Sequence, residues 1–309
     1  LLCRDQGRWD EAIAHLERAA AGFEHEGADD YRGRVWNNLG EVAMLCGRYD
    51  EALRRFTGAL ELMATRVYQV DVHVNIGLVR QAQGDEAGAL EAYGAARALA
   101  ETIGRADSLP LILYRIGHAE QRLGRAEDAL RYYQLAIEAI EARRAPLRDE
   151  GLLIGLMGRW QLVYEAAIGL CLERGDPGAA FGYAERARAR AFADMLARRH
   201  ELSAPPVAPV GAAEAAARLP AGDLLIAFFA AGLPGPEAAL LRAIPEAAAG
   251  LRSCLAAEPR LVRFAVSRAQ VTAEIRAINP QSLQPTTRFQ ADGRRFLPAP
   301  ILRRLAGAL

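Results

Sequence analysis

The hexapeptide Gly7-Arg8-Trp9-Asp10-Glu11-Ala12 returns forty residues later as Gly47-Arg48-Tyr49-Asp50-Glu51-Ala52. Looser copies follow at Gly84-Asp85-Glu86-Ala87-Gly88-Ala89 and Gly124-Arg125-Ala126-Glu127-Asp128-Ala129, with a fifth trace at Gly175-Asp176-Pro177-Gly178-Ala179-Ala180. A chain that repeats itself at this period folds as a stack of short units, because one unit alone cannot bury its apolar face. A stack offers a long continuous surface. It is therefore read first as a binder and only second as a catalyst.

Each copy has the same internal grammar. Ahead of the turn lies an apolar-periodic segment with a small residue in it, as in Trp36-Asn37-Asn38-Leu39-Gly40, Val74-Asn75-Ile76-Gly77 and Tyr114-Arg115-Ile116-Gly117. Seven residues on comes a second glycine, Gly47, Gly84 or Gly124, suited to end a helix in the left-handed conformation. The next helix opens with acidic residues that complement its positive dipole end. It then carries Ala, an aromatic four residues on, and Ala three after that: Ala52, Phe56, Ala59; Ala89, Tyr93, Ala96; Ala129, Tyr133, Ala136. These spacings put all three on one helix face. The small residues let helix axes approach, and the ring is expected to fill the gap between adjacent units.

This grammar resembles the tetratricopeptide repeat (TPR). The first copy fits through Ala12, Leu16 and Ala19 but lacks almost all of its first helix. The family's unit is about 34 residues, whereas the glycine-to-glycine steps here are 40, 37, 40 and 51, so helices or connections are lengthened. The resemblance implies a mainly α fold, a right-handed α-α superhelix of antiparallel pairs. In such arrays the first helix of each pair lines a concave groove. The residues two before the small glycine, Asn38, Asn75 and Arg115, would then form a ladder facing a peptide ligand. Asn offers a donor and an acceptor to a peptide backbone, and Arg a planar fork for a carboxylate. One turn along stand Glu41, Leu78 and His118, followed by Met44, Gln81 and Gln121.

Composition narrows the partners. The 309 residues hold 38 basic and 38 acidic side chains, so no global field favours nucleic acid or an anionic membrane. The longest apolar run, Leu224 to Leu233, is far short of a bilayer span. No secretory signal is visible, and a cytoplasmic location is expected. Cys3, Cys46, Cys171 and Cys254 lack the paired spacing of a zinc site or disulfide framework. No phosphate loop, nucleophile elbow or His-Glu-x-x-His pair is present, so no cofactor or metal is expected.

The character of the chain changes near residue 200. A helical stretch from Ala179 to His200 ends in Glu185-Arg186-Ala187-Arg188-Ala189-Arg190, whose arginines read as a solvated face. A Pro/Ala-rich linker, 201–212, follows. Beyond it Ala212 to Arg218 reads as helix, and Asp223 to Phe229, Ala238 to Ile244 and Arg260 to Val266 as strands. Ser267 then caps an expected helix to about Ile278, and Leu297 to Leu309 reads as a last helix.

A second resemblance rests on Glu185 to Leu196, Leu219 to Phe229, Arg260 to Ile278 and Asp292 to Leu309. Together these look like the CHAT family, in which a caspase-like peptidase domain is attached to TPRs. The resemblance implies a TPR array over 1–200 and the first part of a CHAT-like α/β domain over 213–309. That family uses a His base and a Cys nucleophile. No histidine lies after His200, and Cys254 in Leu251-Arg252-Ser253-Cys254-Leu255 reads as a packed thiol. The chain is expected to stop short of the catalytic pair and to be no enzyme by itself. The expected function is a protein- or peptide-binding TPR module that regulates an attached CHAT-type effector. The alternative is a pure interaction scaffold, or the sensor part of a bacterial signalling or transcription regulator. Oligomeric state does not follow from the sequence.

Overall fold

A computed structural model describes residues 7–144, 150–197, 210–231, 244–255 and 260–277. Nine helices come first in the described chain: α1 (Trp9–His25), α2 (Asp29–Leu45), α3 (Tyr49–Leu62), α4 (Arg66–Ala82), α5 (Glu86–Thr102), α6 (Leu109–Arg122), α7 (Ala126–Arg144), α8 (Glu150–Glu173) and α9 (Pro177–Ala197). Sequence neighbours pack on one another throughout, so α2/α3, α4/α5, α6/α7 and α8/α9 are successive hairpins, preceded by the lone α1.

The hairpin turns close in one way. At Gly47 the backbone takes φ 76°, which lets the Arg48 N–H reach back to the Ala43 carbonyl at 2.9 Å. That bond satisfies a helix-end acceptor, and only glycine enters this conformation without a Cβ penalty. The same bond recurs from Asp85 to Arg80, Arg125 to Glu120 and Asp176 to Cys171, each at 2.9 Å. Two between-hairpin joints use it as well, at Gly27 and Gly104. The α3–α4 joint instead runs extended at Met63 and is tied by Thr65 N–H to Asp30 Oδ1 at 2.9 Å.

The repeated faces meet in the core. Ala52, Phe56 and Ala59, Ala89, Tyr93 and Ala96, and Ala129, Tyr133 and Ala136 are all fully buried. The rings do not chiefly bridge adjacent units, as the spacing alone suggests. Each lies over the small glycine of its own hairpin. A Cβ on Gly40 would stand 2.5 Å from the Phe56 ring and one on Gly117 2.7 Å from the Tyr133 ring, and Gly77 faces Tyr93 likewise. The glycine exists because the aromatic needs its volume.

After α9 come α10 (Ala212–Arg218), β1 (Leu225–Ala231), a 3-10 turn (Glu246–Ala248) leading into α11 (Ala249–Leu255), β2 (Arg260–Val266) and β3 (Val271–Ala277). The strands form one antiparallel sheet in the order β1-β2-β3. Ala227 sits opposite Phe264, and Arg263 opposite Glu274, an ion pair at 2.6 Å. Val262, Phe264 and Val266 alternate inward and pack on Ile168, Cys171, Ala180, Phe181 and Ala184 of the last hairpin. The Phe181 and Phe264 rings meet edge to face, 5.7 Å apart. The sheet thus shares a core with the end of the helical array.

Two expectations fail here. The helix expected from Ser267 is β3. Val271-Thr272-Ala273-Glu274-Ile275 carries β-branched residues that suit a pleated surface. The Ser267 hydroxyl does accept the Gln270 N–H three residues on, at 3.1 Å, as a helix cap would. Ser267 N–H bonds the Gln270 carbonyl at 2.9 Å, however, and the chain reverses. Arg186 is no solvated arginine: it grips Glu141 of α7 at 3.0 Å and ties the last hairpin to the one before. The expected strand up to Ile244 (but for Ile244 itself), the last helix Leu297 to Leu309 and most of the 201–212 linker lie outside the described residues.

Candidate binding groove

The first helices α2, α4 and α6 stand side by side, and their facing side chains are joined by polar contacts. Asn75 donates to Asn37 Oδ1 at 3.1 Å and to Glu41 Oε1 at 3.3 Å, while Asn37 donates to the same Glu41 oxygen at 3.0 Å. Asn38 is half-buried and makes no hydrogen bond among the described residues. The rung that Asn75 meets on α2 is therefore Asn37, one position earlier.

Further along, Gln81 is 1% exposed and spends its amide inside the array. Its oxygen accepts the Tyr93 hydroxyl at 3.3 Å, and its nitrogen donates to Glu86 and to His118 Nδ1, each at 3.0 Å. An amide nitrogen only donates, so Nδ1 accepts and the His118 ring proton sits on Nε2. Glu86 in turn pairs with Arg122. Burial, then the charges of Arg115 and Arg122, push His118 down to about 4, so the ring is neutral near pH 7. Gln121 repeats the arrangement: its oxygen accepts the Tyr133 hydroxyl at 2.7 Å, and its nitrogen donates to Glu173 at 3.1 Å.

The face is not empty. Pro245 to Leu255 lies across it, carried there by the 3-10 turn and α11. Ile244, Ala248 and Leu251 are almost wholly buried among Ala43, Met44, Leu45, Leu78 and Val79 of α2 and α4. Ile244 enters ahead of the extended Pro245, Ala248 from the 3-10 turn and Leu251 from α11. The backbones come close: a Cβ on Gly250 would collide with the Ala82 carbonyl, and one on Gly47 with the Ala247 carbonyl. The Leu251 N–H donates to the Tyr49 hydroxyl at 3.2 Å.

Arg115 closes the far end. It is 8% exposed, donates to the Cys254 carbonyl at 3.0 Å and lies over the Tyr114 ring. Among the described residues no carboxylate pairs with it, and its buried Nε has no hydrogen-bond partner. The negative end of α11 partly takes the place of a counter-ion. Beside this contact opens a cavity of about 1250 Å³ whose walls include Glu41, Asn75, Arg115, His118, Gln121 and Cys254. Asn38 and Gln81 are not on its wall. Sequence reasoning missed the occupant. Its signal was Ile244, Ala248, Leu251 and Leu255 at helical spacing around a glycine, but the run up to Ile244 reads as a strand.

Cys254 is buried in α11, and loss of solvation pushes its thiol up despite Arg122 and Arg115 nearby. A raised thiol holds less thiolate at neutral pH, which is poor chemistry for a nucleophile. Among the described residues no cluster of three or more His, Cys, Asp or Glu could hold a metal ion, and no helix is long and apolar enough to cross a membrane.

Hairpins of constant design, stacked so that first helices share one face, define a helical repeat array with a groove. The repeats themselves are tetratricopeptide repeats: residues 1–64 and 31–102 match one family profile of that repeat, and residues 111–143 a second. Among solved structures, the TPR-like repeats of a putative kinesin light chain from Podosopora anserina share 16% identity, cover 65% of this chain and 92% of their own, and give a TM-score of 0.47. The MamA protein shares 15%, with 64% and 100% coverage and a TM-score of 0.40. BtubC from P. vanneervenii shares 15%, with 64% and 94% coverage and a TM-score of 0.40. No curated protein matches the sequence.

Proposed function

We propose that this chain is a protein-interaction module whose groove, on α2, α4 and α6, takes a segment of a partner protein. The observation that supports this reading is the burial of a short helix on that face, with Ile244, Ala248 and Leu251 in its apolar wall and a backbone carbonyl on Arg115. A surface that holds one helix against solvent has the shape and the polar ends to hold another. Asn75, Arg115, Glu41 and His118 on the cavity wall are the groove residues of this reading. Gln121 stands on the same wall, and Asn38 and Gln81 belong to the groove through their helices.

The finer proposal is that partner binding regulates an attached CHAT-type caspase-like effector, with 1–200 as the array and the region from 213 as the start of the effector domain. The shared core of Phe181 and Phe264 supports it, because a sheet packed on the last hairpin would feel a shift of the array. Partner capture tests the module. Asn75→Ala and Arg115→Ala should each weaken capture by the folded chain, while Arg54→Ala, on the exposed side of α3, should not. The reverse pattern would move the site to the opposite face. Peptidase activity in the native protein that carries this chain, altered by the captured partner, tests the effector.

A further inference from the structure

We infer that the groove is a helix-binding site gated in cis: Ile244 to Leu255 is its resident ligand, and it takes in trans a short amphipathic partner helix of the same pattern. The inference rests on the groove reading above and adds the class of ligand and the reason an empty groove is not the resting state.

The resident segment defines what the site accepts. Three apolar residues enter the wall and are all but fully buried: Ile244 from the chain ahead of the extended Pro245, Ala248 from the 3-10 turn and Leu251 from α11. Gly250 is required where the helix backbone crosses the Ala82 carbonyl, since any side chain there would strike it. Direction is set at both ends. Tyr49 receives the Leu251 N–H, and Arg115 donates to the Cys254 carbonyl at the C-terminal end. A buried guanidinium with no carboxylate of its own suits the carbonyls of a helix end, and an added carboxylate there would pair with it more strongly. The partner class is therefore a short helix with an apolar residue on the extended chain leading into it, two more apolar residues three apart at its start, glycine one residue before the last of them, and its C-terminus toward α6.

Tethering gives the resident segment an effective concentration near the millimolar range, so a free helix of equal intrinsic affinity competes poorly. Displacement needs a partner that binds better or a change that weakens the cis helix. Gly250→Val does the second without touching the groove, because the added side chain sits on the resident helix and faces Ala82.

The probe is a fluorescent, end-blocked peptide of residues 244–255, titrated under reducing conditions into the full 309-residue chain. The Gly250→Val chain should bind it at least about ten-fold more tightly than wild type. Adding Arg115→Ala to Gly250→Val should remove most of that gain. Equal binding by wild type and Gly250→Val, at any affinity, would sink the gate. No binding by a Gly250→Val chain that keeps its helical circular dichroism would sink the helix site as well. Should that variant fold poorly, hydrogen exchange on wild type decides: excess probe should speed exchange at 249–255, and unchanged protection overturns the inference. The groove reading fails separately, when Asn75→Ala and Arg115→Ala leave capture of a natural partner untouched.

Discussion

The α2/α3 hairpin and the α4/α5 hairpin are built on the same glycine–aromatic contact, yet one ring is Phe56 and the other Tyr93. The residue four after the glycine changes with it: Met44 stands before Phe56, Gln81 before Tyr93, and Gln121 before Tyr133. Where the ring carries a hydroxyl, that position supplies an oxygen to accept it. Where it does not, the position is apolar and joins the core. A buried hydroxyl without a partner costs about 1–3 kcal/mol, so the two positions are one choice. The second and third hairpins then differ in a further respect. Gln81 also holds the buried Glu86 of its own hairpin and the half-buried His118 of the next, whereas Gln121 reaches only the more exposed Glu173.

The largest effect should be indifferent to this contrast. Phe56→Ala and Tyr93→Ala each empty a fully buried ring site and should cost about 3–5 kcal/mol in denaturant unfolding. A much smaller loss at either would mean that its ring does not carry the hairpin.

His118 distinguishes the joint between the second and third hairpins by pH. Its folded value is depressed to about 4 from 6.5, so below pH 6.5 the unfolded chain binds a proton that the folded chain refuses. Stability is therefore lost as pH falls from 6.5 toward 4 and levels off below. The loss is on the order of 3 kcal/mol. The difference between wild type and His118→Gln across that window measures it, and parallel profiles would remove His118 from the network.

Transplanting the first design into the others should split them. Gln121→Met with Tyr133→Phe should cost less than about 1 kcal/mol, since donor and acceptor leave together. Gln81→Met with Tyr93→Phe should cost about 2 kcal/mol or more, because Glu86 and His118 lose a buried donor. Equal costs would show that the inter-repeat contacts contribute nothing. The smallest effect is the reverse graft: Phe56→Tyr should cost about 1 kcal/mol, and Met44→Gln beside it should recover most of that. A chain as stable with Phe56→Tyr alone would mean the new hydroxyl finds water.

Much of this architecture was legible in the sequence. The alanine–aromatic–alanine faces and the turn glycines follow from spacing alone, because helix period and left-handed backbone impose them locally. The roles of Gln81 and Gln121 were not legible. A polar residue on a first helix looks alike whether it faces a ligand or a tyrosine twelve residues later, and only the tertiary contact separates the two. Arg186 escaped for the same reason, its partner Glu141 lying a hairpin away. β3 was missed because Ser267 makes the cap-like bond of a helix start and still closes a turn. The resident helix was missed because its partners sit some two hundred residues upstream, beyond any local pattern.

The matched Tyr–Gln and Phe–Met pairs have a consequence for how such a chain can grow. A repeat that carries both its ring and the complement of that ring is self-sufficient at that contact, so duplicating or transposing the unit moves the problem and its solution together. The third hairpin, exchanged for a copy of the first, would leave no tyrosine unmet within that unit. The bonds from Gln81 to His118 and from Glu86 to Arg122 cross the boundary and carry no such freedom. They fix an order of units, second before third, which a shuffling event would break even though every unit remained intact.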